Sequence, residues 1–88
     1  MSLEIESMLQ GKDIVVKPIG EVDIYTSPQL KTNVFALIED NKKDIIIDGE
    51  SLVYIDSTGL GVLMSIYKNM KERNLNFKIV NLKPNIYK

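Results

Sequence analysis

An α/β fold built on a mixed, mostly parallel four-stranded sheet is what this chain predicts, and three observations carry the prediction. Short apolar runs alternate with helically spaced apolar residues in the order β-β-α-β-α-β, followed by the start of a further helix. The run Ile45-Ile46-Ile47 is apolar on successive residues, as a central strand covered by helices requires. The segment Tyr54-Ile55-Asp56-Ser57-Thr58-Gly59-Leu60-Gly61 then reads as the end of a buried strand, a tight turn and a helix start. Such alternation implies right-handed crossovers between parallel strands, here with an antiparallel strand at the front.

Taken in order, Leu3, Ile5 and Leu9 alternate with Glu4 and Glu6, the pattern of a half-buried strand. Gln10-Gly11-Lys12-Asp13 is a turn and Ile14-Val15-Val16 opens a second strand, so the two form a hairpin. Pro18 falls near the end of that strand, where a missing donor is tolerated. Thr26-Ser27-Pro28-Gln29 starts a helix with a hydroxyl cap and an early proline. Leu30, Val34, Leu37 and Ile38 form its apolar face, and Asn41-Lys42-Lys43 closes it. The third strand runs from Asp44 to Asp48. Leu60, Leu63, Met64, Tyr67 and Met70 mark the second helix, with Asn74 as its left-handed terminator. Phe77 to Leu82 is the fourth strand, and Pro84 suits the first turn of another helix.

Composition bounds the function. The 88 residues make one domain, 44% hydrophobic and 26% charged, which is globular rather than disordered. The net charge of −1 lacks the basic excess of a nucleic-acid binder. Lys68, Lys71 and Arg73 gather where they complement the end of the second helix. No apolar run approaches the ~20 residues that span a bilayer, and no signal peptide opens the chain. With no cysteine either, a cytoplasmic location without membrane contact is expected.

An enzyme is not expected. Without histidine or cysteine, Ser57 has no partner for a Ser-His-Asp arrangement and no thiol nucleophile exists. Gly59-x-Gly61 alone is no phosphate-binding loop, Asp23, Asp48 and Asp56 are too scattered to argue a metal site, and no cofactor is called for. What remains is Ser57 at an exposed strand-to-helix turn. The residues alone are satisfied by a helix cap worth about 1 kcal/mol. They also allow a hydroxyl that accepts a phosphoryl group, with Gly59 and Gly61 leaving the turn open to a partner's backbone. Asp23, just after the second strand, falls at the same sheet edge as Asp56, as a loop acid, an Asx-turn or a recognition residue.

The segment Ile55-Asp56-Ser57-Thr58-Gly59-Leu60-Gly61-Val62-Leu63 resembles the signature of STAS domains, in particular of bacterial anti-sigma factor antagonists. Ile19-Gly20-Glu21-Val22-Asp23, Ile45-Ile46-Ile47-Asp48 and Lys78-Ile79-Val80-Asn81 are similar to further segments of that family, from about Ile14 to the last residue. Gly49-Glu50 stands where relatives more often carry a Leu-Ser type pair. The resemblance implies a single STAS domain over residues 1–88. It implies phosphorylation at Ser57, and a partner-binding surface of Asp23, Asp56, Ser57, Thr58, Gly59, Leu60 and Gly61. The implied partners are an anti-sigma factor with serine kinase activity and a serine phosphatase that resets the switch. Unphosphorylated, the protein would bind the anti-sigma factor and so release a sigma factor.

In that family Leu82–Lys88 only begins a further helix. The C-terminal helical part is therefore expected to be missing here, leaving apolar surface beside Phe77-Lys78-Ile79-Val80 to be covered by further residues or by self-association. Two rival readings keep an α/β domain. One is a STAS regulatory or scaffold module of a larger assembly without sigma control. The other is a phospho-acceptor of the response-regulator kind using Asp48, which Asp23 alone does not equip with the acidic pair that holds Mg²⁺.

Overall fold

The computed structural model describes residues 2–87. Seven elements follow in the order β1 (Leu3–Gln10), β2 (Asp13–Val22), α1 (Ser27–Asn41), β3 (Asp44–Asp48), β4 (Leu52–Ile55), α2 (Ser57–Glu72) and β5 (Phe77–Val80). The α/β class and the mostly parallel sheet are as the sequence predicts. The sheet has five strands rather than four.

The hairpin forms in the expected register, Gln10 opposite Asp13, with Gly11 at the left-handed φ of 64° that a tight turn asks of its first residue. Strand β2 organises the sheet. One of its edges is antiparallel to β1 over residues 13–20. The other is divided, with residues 13–16 parallel to β3 and residues 20–22 parallel to β4 across a register shift at Gly20/Glu21. Strand β5 lies parallel on the outer edge of β3.

The break that separates β4 from β3 has a local cause. The chain interrupts itself after β3, where the Asp48 carboxylate accepts from the Glu50 N–H at 3.0 Å and the Leu52 N–H donates to the Gly49 carbonyl at 3.1 Å. Gly49 is pressed so closely on Leu82 and the Val80 carbonyl that a Cβ would sit 2.8 Å from a Leu82 methyl. After this turn the chain resumes its path along β2 as β4, which is what delivers Asp56 and Ser57 to the end of the sheet.

Both helices cover one face. Ile14, Val16 and Val22 of β2, Ile45 and Ile47 of β3, Leu30, Val34 and Ile38 of α1, and Leu63, Ile66 and Met70 of α2 form a single buried cluster. Burying a side chain of this size stabilises the fold by about 1.5–3 kcal/mol, which fixes the rotation of each helix. Helix α1 starts with Pro28 in its first turn and ends on Lys42 at φ 54°. Asn74 at φ 60° terminates the path of α2 as expected.

The helix start expected at Pro84 is corrected. Strand β5 stops at Val80 because Asn81 turns left-handed at φ 59°, and Asn85 does so again at φ 65°. Pro84 and Asn85 form a turn rather than a helix start. Beyond it Tyr87 makes a parallel bridge to Ile55, whose N–H donates to the Ile86 carbonyl at 3.0 Å. Between α2 and β5 lies an open apolar groove of about 320 Å³ lined by Leu60, Leu63, Met64, Tyr67, Phe77 and Ile79. Among the described residues no helix is long and apolar enough to cross a membrane.

Candidate functional site

The site is made where β2 and β4 end side by side. Val22 pairs with Ile55, and the Asp56 N–H donates to the Val22 carbonyl at 3.2 Å. Strand β4 leads into α2 through Asp56 alone and β2 into α1 through residues 23–26, so the starts of both helices share one rim of the sheet.

At the start of α2, Asp56 is extended (φ −106°, ψ −174°) and its carboxylate accepts from the Gly59 N–H at 2.9 Å. Asp56 is thus the helix cap. This corrects the expectation that a hydroxyl does the capping: Ser57 is already the first helical residue. Ser57 and Thr58 are both exposed, and among the described residues neither hydroxyl finds a partner. The Ser57 oxygen stands free beside the positive end of a helix, next to the Asp56 carboxylate.

The two glycines of this turn have opposite surroundings. Gly59 is buried, and a Cβ there would lie 2.7 Å from a Val22 methyl and 2.8 Å from both Ile55 and the Val22 carbonyl. It lets the first turn of α2 lie flat on the sheet, so Gly59, against expectation, does not open the site to a partner. Gly61 is exposed, and beyond its own helix turn no described residue comes within 4 Å of the position a Cβ would take. Leu60 is exposed between them at the head of the apolar groove.

At the start of α1 the polar groups turn inward. Asp23 is only 4% exposed. One carboxylate oxygen accepts from the N–H groups of Tyr25 at 2.8 Å and Thr26 at 2.9 Å, an Asx-turn. The Thr26 hydroxyl makes no cap bond to α1. It accepts from the Asp23 N–H at 2.9 Å and donates to the Glu21 carbonyl at 2.8 Å. Burial pushes the Asp23 carboxyl up, but the bonds donated by Thr26 and Tyr25 outweigh it and hold the group below the usual carboxylate range. Its second oxygen is buried and has no partner among the described residues.

Asp23, Asp56, Ser57, Thr58, Leu60 and Gly61 therefore do share one end of the molecule, although Asp23 is a buried brace rather than a surface acid. The sequence reading missed Ile24 and Tyr25, which this brace holds outward at 61% and 82% exposure. The signal for them is present as two large apolar residues inside an Asp-x-x-Thr turn.

A mixed α/β sheet with both helices on one face is the architecture of a STAS domain. The sequence pattern of that family matches residues 4–88, and the chain belongs to it. Among curated relatives, the anti-sigma-B factor antagonist of Staphylococcus aureus (strain NCTC 8325 / PS 47) is 34% identical over 86 residues, which span 98% of this chain and 80% of that protein. The anti-sigma-B factor antagonist of Bacillus subtilis (strain 168) is 33% identical over 82 residues, spanning 93% of this chain and 74% of the other. Among solved structures, a putative anti-sigma factor antagonist from Thermotoga maritima superposes with a TM-score of 0.84 at 23% identity, covering 93% of this chain and 71% of that one. The anti-sigma factor antagonist SpoIIAA in its unphosphorylated form gives 0.76 at 21% identity, covering 94% and 76%. These two show the shared fold.

Proposed function

We propose that this protein is an anti-sigma factor antagonist working as a phosphorylation switch in the cytoplasm. Unphosphorylated, it binds an anti-sigma factor through the rim around Ser57 and so frees a sigma factor. The anti-sigma factor is a serine kinase that modifies Ser57 and ends the interaction, and a serine phosphatase restores it. The protein is ligand and substrate in this cycle, not catalyst. The reading is supported by the curated relatives' names and, on this chain, by one observation above the rest: Asp56 takes the capping role, so the Ser57 hydroxyl is exposed and uncommitted.

The physical consequences fit a switch. A phosphoryl group adds about −1.5 to −2 charge. At the first residue of α2 it meets the positive helix end, an interaction favourable by ~0.3–1 kcal/mol, so the fold tolerates it. The same charge beside Asp56 changes what a partner meets. A loss of ~2–4 kcal/mol at the interface is a factor of roughly 30 to 1,000 in affinity, enough to release it.

The test is incubation with ATP and the serine-kinase anti-sigma factor of the same genome, followed by mapping of the phosphate. Label on Ser57, absent from Ser57→Ala, is the expected result. Because Asp56 caps the helix, Ser57→Ala should change stability by no more than ~0.5 kcal/mol, as for an uncommitted surface residue. Label on Thr58, or undiminished label on Ser57→Ala, refutes the assignment.

A further inference from the structure

The loop joining β2 to α1 pairs a fixed backbone with exposed apolar side chains. Its backbone is tied down: Asp23 accepts from Tyr25 and Thr26, and Thr26 links the Asp23 N–H to the Glu21 carbonyl, all between 2.8 and 2.9 Å. Its side chains point the other way, with Ile24 61% and Tyr25 82% exposed. A single exposed apolar residue is ordinary. Two adjacent ones on an immobilised backbone are different, because the ordering cost that normally opposes binding through a loop has already been met in folding.

The position of this loop names its occupant. Asp56 donates to the Val22 carbonyl, so the residues that follow Val22 leave the sheet one strand spacing, about 4.8 Å, from the residues that lead into Ser57. A partner interface covers about 800 Å² on each side, a disc of roughly 16 Å radius. A protein whose active site encloses the Ser57 hydroxyl therefore also covers the loop. We propose that Tyr25, with Ile24 beside it, is the anchor by which the kinase acting on Ser57 holds this protein, and that buried Asp23 is the positioning residue that presents it. Tyrosine suits the role, since interface energy concentrates in a few large, rigid aromatic side chains. The inference rests on the reading of Ser57 as the phosphoacceptor, and goes beyond it by locating the recognition energy outside the helix that is modified.

Initial phosphorylation rates with the serine-kinase anti-sigma factor test both readings separately. Tyr25→Ala should raise KM about 30-fold and leave kcat within about threefold, because the contact binds substrate and transition state alike. Its melting curve should match that of the wild type, as the ring is not part of the core. Asp23→Asn keeps an oxygen to accept from Tyr25 and Thr26 and should stay within about threefold of wild-type KM, whereas Asp23→Ala should lose binding as Tyr25→Ala does. In a Tyr25→Ala background, Asp23→Ala should add little, a non-additivity that a folding defect alone does not produce. A wild-type chain that is not phosphorylated at Ser57 brings down the switch reading and this inference together. Normal phosphorylation of the wild type with a KM for Tyr25→Ala raised less than about fivefold overturns the anchor alone. An Asp23→Asn defect as large as that of Asp23→Ala overturns the positioning role.

Discussion

The two helix starts of this domain lie side by side at one end of the sheet, and they use their polar residues in opposite ways. At α1 the hydroxyl of Thr26 and the carboxylate of Asp23 are buried and bonded to each other's backbone and to Glu21. At α2 a single carboxylate, Asp56, serves the helix, and Ser57 and Thr58 face solvent without partners among the described residues. One turn is a brace and the other is a display. The difference shows why similar residue types, a hydroxyl and an acid at each strand-to-helix junction, carry different work: what matters is which group the backbone already satisfies.

Loading the display side is the strongest challenge to this contrast. Ser57→Asp places a carboxylate where the phosphate would sit, in the first turn of α2, where negative charge is favourable. The melt should therefore match that of the wild type, while affinity for the anti-sigma factor falls by roughly 30- to 1,000-fold. Titration of the partner with both proteins checks this, and unchanged affinity would mean that charge on this turn is not what releases the partner.

Breaking the brace should be felt in stability instead. Thr26→Val keeps the shape and leaves the buried Asp23 N–H and the partly buried Glu21 carbonyl without their partner. A buried unsatisfied group costs about 1–3 kcal/mol and a partly buried one, which water reaches, less, so a loss of about 2–3 kcal/mol is expected in denaturant unfolding. For a domain this size that corresponds to a melting temperature lower by roughly 10–20 °C. Thr58→Val, the matching change on the display side, should stay within ~0.5 kcal/mol. Equal effects at the two threonines would erase the distinction.

The seam between the turns is tested at Gly59. Alanine is preferred to glycine within a helix by about 1 kcal/mol, which favours the substitution. Against it stands the Cβ, which would lie 2.8 Å from the Val22 carbonyl and closer still to a Val22 methyl. Backbone cannot yield as a flexible side chain does, so α2 has to lift from the sheet. Gly59→Ala should be destabilising by about 1–2 kcal/mol net. A gain in stability would show that α2 packs less closely on β2 than its geometry indicates.

Much of this arrangement is legible in the residues. The hairpin at Gln10–Asp13, the proline that opens α1, the Asn74 terminator and the location of the Ser57 turn all follow from local chemistry that needs no distant contact. Strand β4 does not, because Leu52–Ile55 is four residues long and exists through its pairing with residues 20–22 of β2. The cap of α2 was ambiguous between neighbours, since Asp56 and Ser57 are both good caps and only the extended backbone at Asp56 separates them. Thr26 was misread for a related reason: a hydroxyl before a proline-started helix looks like a cap, and its bond back to Glu21 depends on the tertiary turn. The inward direction of Gly59, by contrast, was readable and overlooked. It falls four residues before Leu63 and seven before Ile66, on the same stripe of α2 that reaches the core.

That stripe also governs the smallest and most discriminating prediction. Gly61 lies two residues beyond Gly59, which turns it away from the sheet, and beyond its own helix turn no described residue stands within 4 Å of where its Cβ would be. In folding terms it is a glycine in an exposed helix interior, where it costs roughly 0.5–1 kcal/mol relative to alanine through the freedom it loses. Gly61→Ala should therefore stabilise the chain by about that amount, raising its melting temperature by a few degrees. If the open surface at Gly61 exists to let a partner's backbone come close, the same substitution should weaken partner binding while strengthening the fold. Stability and affinity moving in opposite directions would mark Gly61 as a residue kept for the interface. A more stable protein with unchanged affinity would place the edge of the interface before Gly61, nearer to Ser57 and the loop that carries Tyr25.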